Sequence, residues 1–184
     1  GKFTTAMFSS VTSRTAGFNT VDMAHFTLPG ILFMIFLMWI GASPASTGGG
    51  IKTSTFALAT LNVFSIARNK KYIEIGTRRI AAEAVQRAFA IISISLAAAG
   101  MGILLLLIFN PEFSLLQIAF EAFSAIGTVG LSMGITAKLS IFSKYVIIGL
   151  MFFGRIGLLN LMIGLLKSVE KTNYTYPQEN ILIN

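Results

Sequence analysis

The chain has 184 residues, of which 54% are hydrophobic and only 11% are charged, and its mean hydropathy is +0.77. Soluble domains carry about 25% charged residues, so this composition, with several long apolar runs, places the chain in a membrane. The formal net charge is +7, but no basic stripe interleaved with aromatic side chains accompanies it, which argues against a nucleic-acid partner. The absence of cysteine excludes disulfides and cysteine-based metal sites from this chain.

The chain begins with glycine inside a short apolar segment, residues 3–11. No basic leader and cleavage site precede that segment, so we expect a piece of a longer protein rather than a signal peptide. The segment is far shorter than the about 20 residues that a spanning helix needs. A short helix that enters the membrane and returns through an extended loop, residues 12–19, fits this length.

A longer apolar run is interrupted by a glycine-rich stretch. The run begins at residues 28–42, with Thr27 as the predicted cap and Pro29 in the first turn, and it resumes at residues 51–67. A proline and three consecutive glycines lie between the two halves and cannot remain a good helix. Each half is short for a bilayer, so the sequence predicts one spanning helix broken in the middle. Irregular backbone at membrane depth lines a watery cavity or is covered by protein, which makes the break a functional candidate.

The next segment, residues 68–79, carries five cationic side chains against one acid, Glu74. The positive-inside rule therefore predicts a cytoplasmic loop. Residues 80–109 begin amphipathic, become fully apolar and are long enough to span outward. Asn110-Pro111-Glu112 then predicts a helix start, with asparagine as the cap and proline in the first position.

A second short apolar segment, residues 113–124, leads into another loop, residues 126–132. A helix of this length ends inside the membrane, and the negative end of its dipole would favour a cation there. Glu121 lies in this helix, where a structural hydrogen bond is favoured over ion ligation. A long apolar run, residues 141–166, returns to the cytoplasm.

The two loops carry the same short motif. Thr128-Val129-Gly130-Leu131 resembles the Thr-Val-Gly-Tyr-Gly filter of potassium channels, whose backbone carbonyls replace the water around a cation. Thr15-Ala16-Gly17-Phe18 coincides with it at one offset, and each copy follows a helix too short to span. The predicted filter residues are Thr15, Ala16, Gly17, Phe18, Thr128, Val129, Gly130 and Leu131. The carbonyls predicted to hold K+ are those of Thr15, Ala16, Gly17, Thr128, Val129 and Gly130. Because only one glycine per loop remains, we expect weaker discrimination between K+ and Na+ than in a channel with the full motif.

The chain resembles the C-terminal half of the Ktr/Trk/HKT superfamily of potassium transporters, most like the Ktr-type membrane subunit. The resemblance covers essentially the whole chain and is carried by residues 13–20, 41–52 and 125–134 and by Arg155. It implies an all-α membrane protein of channel-like units, each a spanning helix, a re-entrant pore helix, a filter loop and a second spanning helix. One and two-thirds units would be present here: the third of four, residues 1–67, and the fourth, residues 80–169. The cytoplasmic loop 68–79 would join them, and a cytoplasmic tail, residues 170–184, would follow.

The same resemblance implies uptake of K+ across the cell membrane, with Na+ as a second candidate ion. It further implies a homodimer in contact with membrane lipid and a cytosolic nucleotide-binding regulatory ring of the RCK type.

The broken helix is the predicted gate, mostly through this resemblance. The predicted gate residues are Ser43, Ser46, Thr47, Gly48, Gly49, Gly50, Lys52 and Arg155. A buried arginine is costly, so Arg155 is expected to face the ion path and to contact loop carbonyls rather than to reach an interface. Lys52 is either a second barrier charge or a partner of a loop carbonyl. The stretch does not match a phosphate-binding loop, because Ile51 separates the last glycine from the lysine.

Two other functions fit parts of the pattern. A secondary transporter could bind a small solute at the broken helix, and a non-transporting membrane scaffold could dock a soluble partner through residues 68–79. No side chains suited to covalent or acid–base catalysis cluster along the sequence, so it does not indicate an enzyme.

Overall fold

The computed structural model describes residues 1–70, 72–76 and 78–157. This part of the chain forms helices joined by loops, with one very short hairpin. The elements are α1 (Lys2–Thr12), α2 (Leu28–Trp39), α3 (Thr53–Ala67), β1 (Glu74–Ile75), β2 (Arg78–Arg79), α4 (Ala82–Phe109), α5 (Leu115–Ile126) and α6 (Ile141–Ile156). Two short 3-10 helices, Met23–His25 and Thr136–Lys138, precede α2 and α6.

Helix lengths follow the expected alternation of short and long segments. In the described part, α4 alone is long and apolar enough to cross a membrane, and its 28 residues extend about 42 Å. Three further apolar helices, α2, α3 and α5, are shorter. Helix α6 ends at Ile156, before Gly157 with a φ angle of +84°, so the predicted 141–166 span is not one continuous helix. Residues 158–166 and the predicted tail lie outside the described residues.

The glycine-rich stretch breaks the second helix as predicted. It forms a loop whose two ends, Ile40 and Ile51, are paired with each other and are called the neck below. Ile40 and Ile51 form a parallel β-bridge. The Gly41 amide donates to the Ile51 carbonyl at 2.8 Å, and the Ile51 amide donates to the Trp39 carbonyl at 3.2 Å. The chain therefore leaves α2 and enters α3 at nearly the same place, and residues 42–50 project from that neck as a separate unit.

Helix α5 is the centre of the packing. One of its sides contributes Ile118 and Ala122 to a core cluster shared with α4 and α6. Another side contributes Phe120 to a second cluster with Met34 and Met38 of α2. A helix apolar on most of its circumference is buried by neighbours on several sides. The two predicted units are therefore joined through this short helix and through the packing of α3 against α4.

The predicted helix start at Asn110 is wrong. The cap of helix α5 lies four residues later, at Ser114, which forms a reciprocal capping box with Gln117. Asn110 instead ends α4, and its buried Oδ1 accepts from the Ser140 amide (3.3 Å) and from the hydroxyls of Ser140 (3.2 Å) and Ser143 (2.5 Å). The local pattern is typical of a helix cap, but the Asn110 side chain instead binds donors at the start of α6.

Two smaller expectations also need correction. Thr27 holds the cap position of α2, yet its side chain makes no capping hydrogen bond. The predicted loop 68–79 contains the hairpin of β1 and β2, with Glu74 opposite Arg79, so the described part is not strictly all-α. The hairpin is too short to change the helical character of the chain.

We expect Asn110→Ala to lower the free energy of unfolding by about 1–3 kcal/mol, because it leaves buried hydroxyls without an acceptor. Asn19→Ala removes an exposed amide and serves as the matched control. Thermal unfolding of the purified protein in detergent measures both. Equal melting temperatures for the two variants would contradict the role given to Asn110.

Candidate functional site

The two predicted filter loops share an unusual backbone. Thr15 and Thr128 have φ angles of +67° and +50°, Gly17 and Gly130 have φ angles of +70° and +90°, and the residue between each pair keeps a negative φ. Alternation of right- and left-handed residues brings successive N–H groups to one side of the chain, which leaves the carbonyls on the other. A β-branched residue at positive φ is a genuine outlier. Each loop therefore holds a strained threonine at the same place.

The loops face each other closely. A Cβ atom at Gly17 would overlap the carbonyl oxygen of Val129, so only glycine fits there. The Thr15 hydroxyl donates to the Gly127 carbonyl at 3.3 Å, across 112 residues of sequence. At Gly130, by contrast, a Cβ would meet nothing within 4 Å. The fold thus brings the two sequence copies together as one structure.

The carbonyl after each filter glycine is held away from the rest. The Phe18 carbonyl accepts from the Thr12 hydroxyl at 2.8 Å, and the Leu131 carbonyl accepts from the Ser124 hydroxyl at 2.6 Å. Among the hydrogen bonds of the described residues, none ends on a carbonyl of residues 15–17 or 128–130. The carbonyls predicted to hold K+ are therefore the ones that have no donor in the described part of the chain.

The carboxylate of Glu121 braces the chain behind the second loop. It is buried, with 5% of its surface exposed, and its oxygens accept hydrogen bonds from the hydroxyls of Ser132 and of Thr136, the latter at 2.9 Å. The expected structural role is thus confirmed in its contacts. The corresponding position of the first unit is Phe8, so this brace supports one loop only.

The broken-helix loop lies directly against both filter threonines. The Gly49 amide donates to the Thr128 hydroxyl at 3.0 Å, and a Cβ at Gly49 would come within 2.5 Å of that oxygen. A Cβ at Gly48 would lie 2.8 Å from the Thr15 hydroxyl. Absent side chains at these two glycines therefore allow the predicted gate to touch the predicted filter.

Two cationic side chains bind the carbonyls of this loop. The Lys52 ammonium donates to the Ser46 carbonyl at 2.9 Å and to the Gly48 carbonyl at 2.5 Å. The Arg155 guanidinium donates to the carbonyl between them, that of Thr47. Arg155 thus makes the expected kind of contact, and Lys52, left open by the sequence, contacts carbonyls as well.

Gly154 is a site residue that the sequence interpretation missed. A Cβ at this position would overlap the carbonyl oxygen of Ile126, the last residue of α5. The close approach brings α6 under α5 and sets the next residue, Arg155, beside the loop. The only signal in the sequence was a glycine immediately before an intramembrane arginine.

The rest of the predicted gate borders open space. Ser43, Ser46 and Thr47 are exposed, and Pro44 with Ala45 at φ +65° forms the tight turn that closes with the Ser46 amide on the Ser43 carbonyl at 3.1 Å. A cavity of about 350 Å³ lies between this loop, α3 and the end of α6, lined in part by Lys52 and Arg155. Loop, cations and cavity form one site beneath the filter loops.

Comparisons with known proteins agree on one family. Residues 1–175 match the TrkH family, described as a cation transport protein. The Ktr system potassium uptake protein B of Vibrio alginolyticus is 42% identical over 182 residues, which cover 99% of this chain and 40% of that protein. The potassium/sodium uptake protein NtpJ of Enterococcus hirae is 38% identical over 181 residues, 96% of this chain and 40% of that protein.

A crystal structure of the potassium transporter TrkH from Vibrio parahaemolyticus has the same fold. The TM-score is 0.62 at 26% sequence identity, with 84% of this chain and 35% of that chain covered. The chain thus spans about 40% of the length of the curated relatives it matches.

We expect Arg155→Gln to speed amide hydrogen exchange in residues 45–50 by about tenfold, because a charge-assisted hydrogen bond to the loop is lost. Lys144→Gln removes an exposed cation from the same helix and serves as the control. Exchange followed by mass spectrometry measures the loop peptides. A similar acceleration in both variants would show that Arg155 does not hold the loop.

Proposed function

Because the chain belongs to the TrkH family of cation transport proteins, we propose that it forms part of a pore for K+ uptake across the cell membrane. The observation that carries the proposal is the pair of facing loops, each with a left-handed threonine and glycine and with carbonyls that accept no hydrogen bond from the described residues. Relatives named for potassium or for potassium and sodium support K+ as the main cargo, with Na+ as a second ion.

The proposed filter acts by replacing water around the cation with carbonyl oxygens. Helix α5 directs the negative end of its dipole toward the second loop, which favours a cation there. Since the Phe18 and Leu131 carbonyls are already engaged, each loop supplies a short run of free carbonyls. A short filter has few cation sites, which supports the expected weaker discrimination against Na+.

The proposed gate is the loop 42–50 beneath those carbonyls. Lys52 and Arg155 bind its carbonyls and place two positive charges close to the ion path. In this arrangement the loop fills the route below the filter, and the two charges oppose a passing cation. Opening would require the loop to release these donors and move aside as a unit, while the bridged neck at Ile40 and Ile51 stays closed.

The remainder of the pore is proposed to come from the part of the relatives' length that this chain does not cover. Helix α1 supports this, because Phe3, Met7 and Val11 expose 61–81% of their surfaces. Large apolar surfaces of this kind are normally covered by protein or lipid. Channel-like repeats, a cytoplasmic position for residues 68–79, a homodimer and a cytosolic regulatory ring complete the proposal, as the family resemblance implies.

The rival solute transporter has less support. Its binding site would be the broken helix, yet the loop carbonyls of Ser46, Thr47 and Gly48 are already bound by the chain's own cations. A solute that used these carbonyls would have to compete with both side chains.

The filter proposal is tested by comparing Gly17→Ala with Gly130→Ala in the complete transporter. Both variants strain a left-handed position, at a cost of about 1–2 kcal/mol, but only the first collides with the opposite loop. We expect Gly17→Ala to lower K+ uptake into liposomes at least about tenfold, and Gly130→Ala to lower it less while reducing the preference for K+ over Na+. Unchanged ion preference and uptake in both variants would reject a filter at these loops.

The gate proposal is tested by Arg155→Gln in the same liposomes. We expect K+ uptake to rise several-fold without a change in the ratio of K+ to Na+, because the loop is released while the filter carbonyls stay in place. Lys144→Gln again serves as the control. A fall in uptake, or a changed ion ratio, would assign Arg155 to support of the filter rather than to closure of the path.

A further inference from the structure

A second cavity, far from the filter loops, joins the hairpin to the first turns of α4. It measures about 490 Å³, within the about 300–1,000 Å³ usual for small-molecule sites. One part of its lining is polar, with Asn62, Tyr72, Arg79 and Gln86, and the other part is apolar, including Ile73 and Phe89. A cavity divided in this way suits an amphipathic ligand.

The cavity lies where the one long apolar helix of the described part changes from polar to apolar. Helix α4 begins with Glu83, Gln86 and Arg87 and is apolar from Ala88 onward. In the proposed membrane orientation, that change marks the boundary between headgroups and hydrocarbon. The depth of the cavity therefore matches a lipid headgroup with its acyl chains directed toward the apolar part of the helix.

The hairpin beside the cavity carries two arginines and one acid, Glu74, which lies opposite Arg79 in the strand pairing. Arg78 and Arg79 are both exposed on the hairpin, and no carboxylate of the described residues lies within ion-pair distance of either. The Arg79 guanidinium carbon lies 3.1 Å from the centroid of the Tyr72 ring. Stacking fixes the plane of a guanidinium while its N–H edge can still bind a phosphate.

We propose that this cavity binds an anionic phospholipid of the cytoplasmic leaflet. Arg79, with Gln86 and Asn62, receives the phosphate, and the acyl chains lie along Phe89 and the apolar start of α4. The inference rests on the proposed membrane orientation and not on ion selectivity. Basic pockets at this level of a membrane protein recognise anionic headgroups by the same chemistry.

The test is native mass spectrometry of the complete transporter in a nonionic detergent, titrated with phosphatidylglycerol or with phosphatidylcholine of the same acyl chains. We expect tighter binding of phosphatidylglycerol, weakened about tenfold by Arg79→Gln, which corresponds to about 1.4 kcal/mol. Arg78→Gln removes the same charge from the neighbouring position outside the cavity lining and should change binding less than about twofold.

Ala82→Trp supplies a second variant, because it fills the cavity without a change of charge and should also abolish the preference for phosphatidylglycerol. Equal binding of the two lipids, equal effects of Arg78→Gln and Arg79→Gln, or displacement of the lipid by millimolar inorganic phosphate would each overturn the proposal. Uptake of K+ is measured separately on the same preparations. If the wild-type protein shows no K+ uptake but still binds phosphatidylglycerol through Arg79, the result counts against the proposed pore and leaves the lipid site standing.

Discussion

Unpaired backbone carbonyls are the constraint on which the centre of this chain depends. Wherever irregular backbone lies at membrane depth, each carbonyl needs a donor or a cation. Side-chain hydroxyls donate to the carbonyls of Phe18 and Leu131. Lys52 and Arg155 donate to carbonyls of the glycine-rich loop. The carbonyls of residues 15–17 and 128–130 have no such donor in the described part, so they are the groups that a desolvated cation can satisfy.

The strain at the two threonines has a structural counterpart in the loop below them. A β-branched residue at positive φ costs free energy of about 1–3 kcal/mol and persists only where its surroundings hold it. Thr15 is held by the Gly127 carbonyl, and Thr128 by the Gly49 amide. The loop 42–50 therefore contributes one of these two contacts, through the Gly49 amide, and the other joins the two predicted filter loops to each other.

The two units differ in how much of their surface is buried, because they have different numbers of neighbouring helices. Helix α5 has α2, α4 and α6 around it and is largely buried, whereas α1 exposes Phe3 and Met7. Leu131 is 2% exposed while its counterpart Phe18 is 70% exposed. The first unit meets fewer partners within these residues, in keeping with a chain that spans about 40% of its relatives' length.

Local patterns in the sequence determined much of the architecture. Apolar run lengths predicted the short helices α1 and α5 and the long helix α4, and three glycines and a proline predicted the break. The paired motifs marked the two loops that share positive φ angles at a threonine and a glycine. Such features depend on residues near one another in the chain, so periodicity and propensity are sufficient to find them. Family resemblance, rather than local pattern, pointed to Arg155 and to the gate.

Contacts between distant residues could be decided only by the tertiary structure. No local pattern indicates that the Val129 carbonyl lies against Gly17, that Gly154 lets α6 approach α5, or that Lys52 binds loop carbonyls. Asn110 is a further example. Its local pattern predicted a helix cap, but its side chain binds Ser140 and Ser143, which lie 30 and 33 residues away in the sequence. The sequence by itself determines where helices end and thus which backbone groups have no partner within a helix. The tertiary structure decides which donors bind those groups, because only packing sets the distances between segments far apart in the chain.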